Sequence, residues 1–276
     1  MAYGQTPFVI AAAPNGARKT KADVPNIPIT PAEVAQTALA CKQAGAAMMH
    51  LHVRDEEQKH SLDIGRYREM LTEVRAAVGN DMVLQVTTEA VGMYSADDQM
   101  AMVRGLMPEA VSIAIREIAP DGFDVNVLKS FFAFMREAKI SPQFILYASD
   151  DVRRFNQLVE KGILPGEKFP VLFVLGRYSA GQVSDPADLL PFIATSSYIS
   201  TWMVCAFGAF ENACILTGAG LGGHARIGFE NNHLLVDGSP ADHNAELIAQ
   251  AREGARHMAR KIATGEQAKQ IMHPVW

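Results

Sequence analysis

Short apolar segments alternate with amphipathic segments along the whole chain. The apolar segments have the length of β-strands, and most are rich in Val, Ile, Leu, Phe or Met. They are Phe8–Ala13, Met48–Val53, Met82–Thr88, Ala110–Ile115, Gln143–Ala148, Phe169–Gly176, Ser200–Ala206 and Ala225–Glu230. The pattern therefore predicts eight strands, separated by stretches that are long enough to contain a helix.

The segments that follow the predicted strands have the periodicity of helices. They are Pro31–Ala44, Ile64–Val78, Asp98–Leu106, Val125–Ala138, Asp150–Lys161, Pro186–Phe192, Phe210–Thr217 and Asn244–Ile262. The first of them has the clearest beginning. Thr30 is a typical N-cap, Pro31 takes the first helical position, and Glu33 completes the spacing of a capping box.

Eight repeats of strand and helix over 276 residues predict a (β/α)8 TIM barrel, an α/β fold. A doubly wound open sheet is the main alternative, but its first strand usually leads into a glycine-rich phosphate turn. Here the first turn reads PNGAR and contains a single glycine, Gly16. Because no linker, charge run or repeat divides the chain, we expect residues 1–276 to form one domain.

The composition narrows the class of protein. Hydrophobic residues make up 49% of the chain and charged residues 20%, as in packed globular proteins. The net charge of −5 provides no general basic field for nucleic acid. The three cysteines are too scattered for a disulfide framework, and no apolar run is long enough to span a membrane. We therefore expect a cytoplasmic protein. We also expect Trp276, a large apolar side chain at the end of the sequence, to pack on another subunit.

Two histidines stand out in the sequence HLHVRD, which ends the second predicted strand. Alternate residues of a strand point to the same side, so His50 and His52 project together. In a TIM barrel the carboxyl ends of the strands carry the active site. Paired imidazoles at this position suit a divalent metal, most often Zn²⁺. Two hydrogen-bonded core histidines are the alternative interpretation.

Glu230, at the end of the eighth predicted strand, is the candidate for a third ligand, and Arg226 lies four residues earlier on the same face. Strands eight and two both flank strand one in a closed barrel, so these side chains can converge with the histidines. His-His-Glu is a known catalytic zinc set, although a solvated loop carboxylate is the alternative for Glu230. Upstream, Gly222 and Gly223 belong to a glycine-rich run whose amides are candidates for an anion pocket.

Several segments together resemble the β-keto acid cleavage enzyme family, which includes the 3-keto-5-aminohexanoate cleavage enzymes. They are HLHVRD after AGAAMMH, the helix start PNIPITPAEVA, QVTT at the third strand, FVLG at the sixth and GGHARIGFEN at the eighth. The resemblance implies a TIM-barrel enzyme, usually a homotetramer, with one Zn²⁺ per subunit. It also implies that a β-keto acid and the co-substrate acetyl-CoA give acetoacetate and a new CoA thioester.

The resemblance also implies roles for individual residues. The metal ligands would be His50, His52 and Glu230. Arg226 would support the catalytic acid–base group, and Thr87 would supply the hydroxyl group that is usual at the end of the third strand.

Several carboxylates that are usual in the family are missing from this chain. After its metal-binding glutamate the family usually has an aspartate, the proposed base, whereas this chain has Asn231, which cannot accept a proton at neutral pH. Arg18 stands where the first turn of the family has a glutamate, and Ala148 replaces an acidic residue after the fifth strand. The usual TTGG after the third strand reads TTEA here.

Two explanations fit these differences: either the base has moved, or the reaction differs. Glu89 is the best candidate for a relocated base because it shares the face of Thr87, and Glu117 at the end of the fourth strand is the second candidate. Thr88, Glu117 and Arg18 are also candidates for substrate binding. Because Arg18 replaces a negative charge with a positive one, we expect a substrate with an additional anionic group.

Two other functions stay open at this point. A metal-dependent aldolase, retro-aldolase or hydrolase would use the same ligands without acetyl-CoA. A non-catalytic binding protein would keep the metal and lack the base. Formation of acetoacetate that requires acetyl-CoA distinguishes the transferase from both alternatives.

Overall fold

Eight parallel strands close into a barrel in a computed structural model that describes residues 6–276. The strands are β1 (Ile10–Ala12), β2 (Met48–Leu51), β3 (Val53–Arg54), β4 (His60–Ser61), β5 (Val83–Thr87), β6 (Ala110–Ala114), β7 (Ser141–Leu146), β8 (Phe169–Leu175), β9 (Ile199–Ala206) and β10 (His224–Ile227). β3 and β4 form a separate antiparallel hairpin, and the other strands follow one another around the barrel in chain order. The predicted TIM barrel is confirmed.

Helices connect the strands. They are α1 (Pro31–Ala44), α2 (Ile64–Val78), α3 (Ala96–Leu106), α4 (Ile115–Ile118), α5 (Val125–Glu137), α6 (Ser149–Glu160), α7 (Leu190–Thr195), α8 (Glu211–Gly220), α9 (Asn244–His257) and α10 (Gly265–Ile271), with short 3₁₀ turns at Ala180–Gln182 and Pro186–Leu189. α1 begins with the predicted capping box between Thr30 and Glu33. Among the described residues, no helix is long and apolar enough to cross a membrane.

The elements differ from the prediction mainly at their ends. The second predicted strand divides at His52, which separates β2 from β3. The short helix α4 was not predicted, because its four residues directly continue an apolar strand. Trp276 was expected to pack on another subunit. Its ring lies 5.4 Å from that of Phe169 in the same chain, so its position does not require a second subunit.

The barrel wall separates two apolar regions. Side chains such as Met48, Val83 and Leu172 fill the inside, and a larger cluster packs between the strands and the surrounding helices. Because successive residues of a strand face opposite sides, a few polar side chains also point inward. His50 is paired in register with Gln85, and both are buried at the carboxyl end of the barrel. The fold thus provides a rigid polar floor for a site.

Candidate active site

Two histidines and a glutamate meet at the carboxyl end of the barrel. His50 lies in β2, His52 directly follows that strand, and Glu230 lies in the turn after β10. The Nε2 atoms of His50 and His52 are 3.1 Å apart, and Glu230 Oε2 lies 3.7 Å from the first and 3.5 Å from the second. Ligand atoms at a tetrahedral zinc are separated by about 3.3 Å, given bonds of about 2.0–2.1 Å. The three atoms are therefore spaced to hold such an ion.

The surroundings of these atoms fit a metal better than a simple pair of core histidines. The amide nitrogen of Gln85 donates to Gln143, which turns the Gln85 oxygen to within 2.8 Å of His50 Nδ1. This contact places the ring proton on Nδ1, so the lone pair on Nε2 faces the cluster. Glu230 Oε2 is buried and has no hydrogen-bond partner among the described residues. A cation between the three atoms would satisfy both groups, and the donor set suits Zn²⁺.

Arg226 sets the charge of the cluster. Its Nη2 atom lies 3.1 Å from Glu230 Oε1 and 3.5 Å from the Cys205 sulfur. Burial alone would raise the pKa of Glu230, but Arg226 and the two histidines outweigh burial and hold this pKa well below its usual range. Burial and the same arginine lower the pKa of His50. Both groups are therefore in the deprotonated forms that bind metals.

The loop after β1 closes over Glu230, the candidate third ligand. Gly16 has a φ of +64°, and a Cβ atom at this position would press against the Glu230 side chain. Arg54 holds the loop, with Nη2 2.6 Å from the carbonyl oxygen of Gly16 and 3.0 Å from that of Lys19. The loop thereby brings Arg18 and Lys19 to the mouth of the barrel.

A cavity opens above the cluster. It has an inner part of about 20 Å³ and an outer part of about 90 Å³, which adjoin each other because the same four residues line both. The shared residues are Glu89, Arg177, Phe207 and Glu230. Thr87, Glu117 and Arg226 line the inner part, and Arg18 lines the outer part. The structure thus brings most of the site residues expected from the sequence together around one cavity.

Glu89 lies between the candidate metal ligands and two arginines. One of its carboxylate oxygens is 3.9 Å from His52 Nδ1, and the other is 4.0 Å from Arg18 Nη2 and 3.8 Å from Arg177 Nη2. Its amide donates to the hydroxyl group of Thr87 over 3.0 Å. The distances to the carboxylate exceed the length of a hydrogen bond, so charge rather than directed bonding holds it.

Glu117, in α4, is the second carboxylic acid of the cavity. Its Oε2 atom accepts a hydrogen bond of 3.0 Å from the amide of Ala90. Burial raises the pKa of Glu117 to about 7, and the negative charge of Glu89 adds to this effect. Near neutral pH the group is therefore present in both protonation states and can accept or return a proton.

His60 belongs to the site but was not singled out in the sequence. The hairpin of β3 and β4 brings it beside the cluster, where its ring lies 5.3 Å from the His52 ring. Burial lowers its pKa to about 3, and its Nε2 atom donates to the main-chain oxygen of Glu89 over 2.8 Å. A neutral His60 thus positions the loop that carries Glu89.

Arg177 is the second residue that the sequence analysis missed. It follows β8 by two positions, and its guanidinium lies 5.1 Å from the centre of the Phe207 ring. A signal was available, because the residues just beyond FVLG occupy the end of a barrel strand where active sites are built. The sequence alone did not show that this side chain turns inward.

Two residues that the sequence marked as candidates for the site, Thr88 and Asn231, lie behind the cavity wall. The hydroxyl group of Thr88 donates to the carbonyl oxygen of Ser112 over 3.0 Å, since its side chain points away from that of Thr87. The amide of Asn231 turns back toward Glu211 Oε1, 3.5 Å away, and toward the carbonyl oxygen of Arg226, 3.3 Å away. Neither side chain lines the cavity, so the structure does not support direct roles for them in substrate binding or catalysis.

Gly222 and Gly223 are at the wrong end of the barrel for an anion pocket at this site. They precede β10, so they lie near its amino end, whereas the candidate metal ligands lie near the carboxyl ends of the strands. The carbonyl oxygen of Gly223 accepts a hydrogen bond of 2.6 Å from Arg260. The structure therefore does not bring these glycines to the cavity that the candidate metal ligands face.

Known proteins are similar to this chain over nearly its whole length. A 3-keto-5-aminohexanoate cleavage enzyme from Acetoanaerobium sticklandii is 27% identical over 270 residues, which are 96% of this chain and 97% of that protein. A 3-oxoadipate:acetyl-CoA acetyltransferase from Cupriavidus necator is 26% identical over 276 residues, which are 96% of this chain and 94% of that protein.

Solved structures share the fold. The apo structure of ObcA superposes with a TM-score of 0.73 at 17% identity, over 90% of this chain and 65% of that chain. At this identity the likeness shows the barrel architecture alone. The model of one enzyme family, by contrast, matches residues 7–273, which is nearly the whole chain. Together with the motifs around His50 and Glu230, this match shows that the chain belongs to the β-keto acid cleavage enzyme family.

Proposed function

We propose that the protein converts a β-keto acid and acetyl-CoA into acetoacetate and a new CoA thioester. The observation that carries this proposal is the cluster of His50, His52 and Glu230 beneath a cavity that also holds two carboxylic acids. The activities for which relatives are named support the role of acetyl-CoA, among them a 3,5-dioxohexanoate:acetyl-CoA acetone transferase from Paraburkholderia graminis. An aldolase or hydrolase that works without acetyl-CoA finds no such support.

The three ligands would hold one Zn²⁺ per subunit. When bound, the metal supplies Lewis-acid stabilisation of negative charge on the ketone and carboxylate oxygens of the substrate. Gln85 keeps the His50 ring oriented, and Arg226 keeps Glu230 ionised. Both residues act as positioning residues for the ligands.

Glu117 is assigned as the group that moves the proton. It takes a proton from the carbon between the ketone and the carboxylate, and that carbon then attacks the acetyl carbonyl group of acetyl-CoA. The CoA thiolate leaves, attacks the original ketone and breaks the adjoining C–C bond. Acetoacetate forms when Glu117 returns its proton to the same carbon. A pKa of about 7 supports this role, because such a group exchanges protons readily at neutral pH.

The sequence made Glu89 the first candidate for the base, but its surroundings in the structure favour a positioning role. Its carboxylate lies between His52 and two arginines, where it can balance the charge of the arginines. The hypothesis that Glu89 is the base instead stays testable with one pair of variants. Glu117→Gln should lower kcat by a factor of about 10² or more and Glu89→Gln by less. The opposite ranking would move the base to Glu89.

The decisive assay measures acetoacetate from a panel of β-keto acids on protein with a known metal content. The wild type should form acetoacetate only when acetyl-CoA is present. His50→Ala should lose both bound metal and activity while the circular dichroism spectrum stays unchanged. Acetoacetate formed without acetyl-CoA, or a full equivalent of metal in the variant, would contradict the proposal. The homotetramer expected from the family stays a prediction that sedimentation can test.

A further inference from the structure

The outer part of the cavity carries more positive than negative charge. Arg18, Lys19 and Arg177 all line it, against two carboxylates, Glu89 and Glu230, of which Glu89 is the one near both arginines. Lys19 is already engaged, since its Nζ atom lies 2.7 Å from the carbonyl oxygen of Phe229. The two guanidinium groups are therefore the cations that are available to a ligand in this part of the cavity.

Arg177 differs from Arg18 in being largely buried. Its side chain is only 15% exposed, yet its guanidinium donates no hydrogen bond to any described residue. The nearest carboxylate oxygen, of Glu89, is 3.8 Å away, beyond hydrogen-bond length. A largely buried guanidinium without acceptors is costly to maintain, so its position points to a ligand that supplies them.

Aromatic rings hold this guanidinium in place. It lies 5.1 Å from the centre of the Phe207 ring and 5.9 Å from that of Tyr178. Stacking of this kind restrains the planar group and leaves its edge free for a carboxylate, which it can bind through two parallel hydrogen bonds. Lysine could not reproduce this geometry.

The position of Arg177 relative to the candidate metal site identifies the part of the substrate that it would meet. Glu89 bridges the two, with one oxygen 3.8 Å from Arg177 and the other 3.9 Å from His52. A β-keto acid that occupies the ligand cluster with its ketone and carboxylate would extend its variable end along this cavity. Arg177 and the more exposed Arg18 then lie beside that end.

We propose that Arg177, assisted by Arg18, binds a second carboxylate at the far end of the β-keto acid. This inference rests on the proposed function and adds the substrate class, a β-keto dicarboxylate. It extends the expectation drawn from Arg18 by naming a buried residue that recognises the extra charge. A phosphate group of acetyl-CoA is the other anion that could meet these arginines, and the experiment separates the two.

The test compares two β-keto acids of equal chain length, one ending in a carboxylate and the other in a methyl group. Calorimetry without acetyl-CoA measures binding alone, and acetoacetate formation measures KM for each substrate. The wild type should bind the dicarboxylate roughly ten- to a hundredfold more tightly. Arg177→Gln should remove most of this preference and leave the methyl-ended acid nearly unchanged, whereas Arg177→Lys should retain part of it.

Arg116→Gln is the matched control. This arginine also lies near Tyr178, 5.1 Å from the centre of its ring, but its guanidinium already donates to Asp151 over 2.6 Å, so its loss should not change the preference between the two acids. Metal content verifies that each variant keeps an intact site. An increase only in the KM for acetyl-CoA would assign Arg177 to a CoA phosphate and overturn the inference. Equal binding of both acids by the wild type would overturn it as well, even if the enzyme still forms acetoacetate. Absence of acetoacetate from every substrate would instead refute the proposed function.

Discussion

Replacing Arg226 with methionine in the metal-free protein tests the electrostatics of the site. The arginine is 3% exposed, and its Nη2 atom lies 3.1 Å from Glu230 Oε1. Its Nε and Nη1 atoms have no hydrogen-bond partners among the described residues, so few other bonds are lost with it. Removing one partner of a buried ion pair costs about 3–5 kcal/mol. Most of that cost would come from the carboxylate of Glu230, left charged and buried.

The pKa of Glu230 determines how the stability deficit of the variant changes with pH. In the wild type the pKa of Glu230 is depressed, so its contribution to stability is present above its ordinary value of 4.5 and is lost as the pH falls through the folded-state pKa. Without Arg226 the burial of Glu230 dominates and raises its pKa above that ordinary value. Its contribution is then complete below the ordinary value and is lost as the pH rises. The stability deficit of the variant should therefore grow toward pH 8, by up to about 1.4 kcal/mol per unit.

Urea unfolding in the presence of a chelator, between pH 5 and 8, measures this deficit. Arg260→Met is a suitable control, because Arg260 is equally buried but donates to the carbonyl oxygens of Ala219 and Gly223. The control should lose stability by an amount that hardly depends on pH. A deficit in the Arg226 variant that stayed below about 1 kcal/mol, or did not change with pH, would refute the reasoning. Added Zn²⁺ should recover part of the lost stability.

Three further variants test single features of the site. Gln85→Leu removes the acceptor of the His50 ring proton and should weaken metal binding about 10- to 100-fold, as measured by competition with a chelator. Gly16→Ala should cost about 1–2 kcal/mol for its positive φ and also release metal, whereas Gly162→Ala, with a similar φ in open space, should cost stability alone; equal metal retention in both would contradict this. Burial raises the pKa of Glu211 to about 8, so stability from this group is complete below its ordinary value of 4.5 and declines as the pH rises through about 8. Glu211→Gln should abolish that decline in urea titrations, and an unchanged decline would place its cause elsewhere.

The barrel and its cluster of candidate metal ligands could be predicted because local rules were sufficient. His50 and His52 share a face through the period of a strand, which a sequence shows directly. Glu230 lies far from them along the chain, but the count of eight strands placed the eighth beside the first. Closure of the barrel then brought the ligands together without any further information.

The remaining features depend on contacts that no local pattern encodes. Arg177 turns inward because Phe207 and Tyr178 stack beside it, and these residues follow different strands. His60 reaches the site through a hairpin whose strands are only two residues each. The glycine-rich run before β10 led to the prediction of an anion pocket there. The active site of a TIM barrel is built from the loops that follow the strands, and this loop precedes one.

The asparagine at position 231 can also be explained by its contact with Glu211, which the sequence did not reveal. Its amide donates to Glu211 Oε1 over 3.5 Å, and Glu211 is buried. An aspartate at position 231 would face this carboxylate directly, and two buried carboxylates cannot both ionise at so short a distance. The asparagine at position 231 thus avoids a repulsion with Glu211 that an aspartate would create.

Restoring that aspartate should not restore the usual arrangement of the family. We expect Asn231→Asp to lower stability by about 1–3 kcal/mol at pH 8 without raising the rate of acetoacetate formation, because the new group would share a proton with Glu211 rather than face the cavity. In a Glu211→Gln background the same substitution should cost much less, and a double-mutant cycle measures this coupling. A gain in activity together with unchanged stability would show that position 231 still serves the reaction. The proton would then be handled on the β10 side of the cavity, and not by Glu117 on the opposite side.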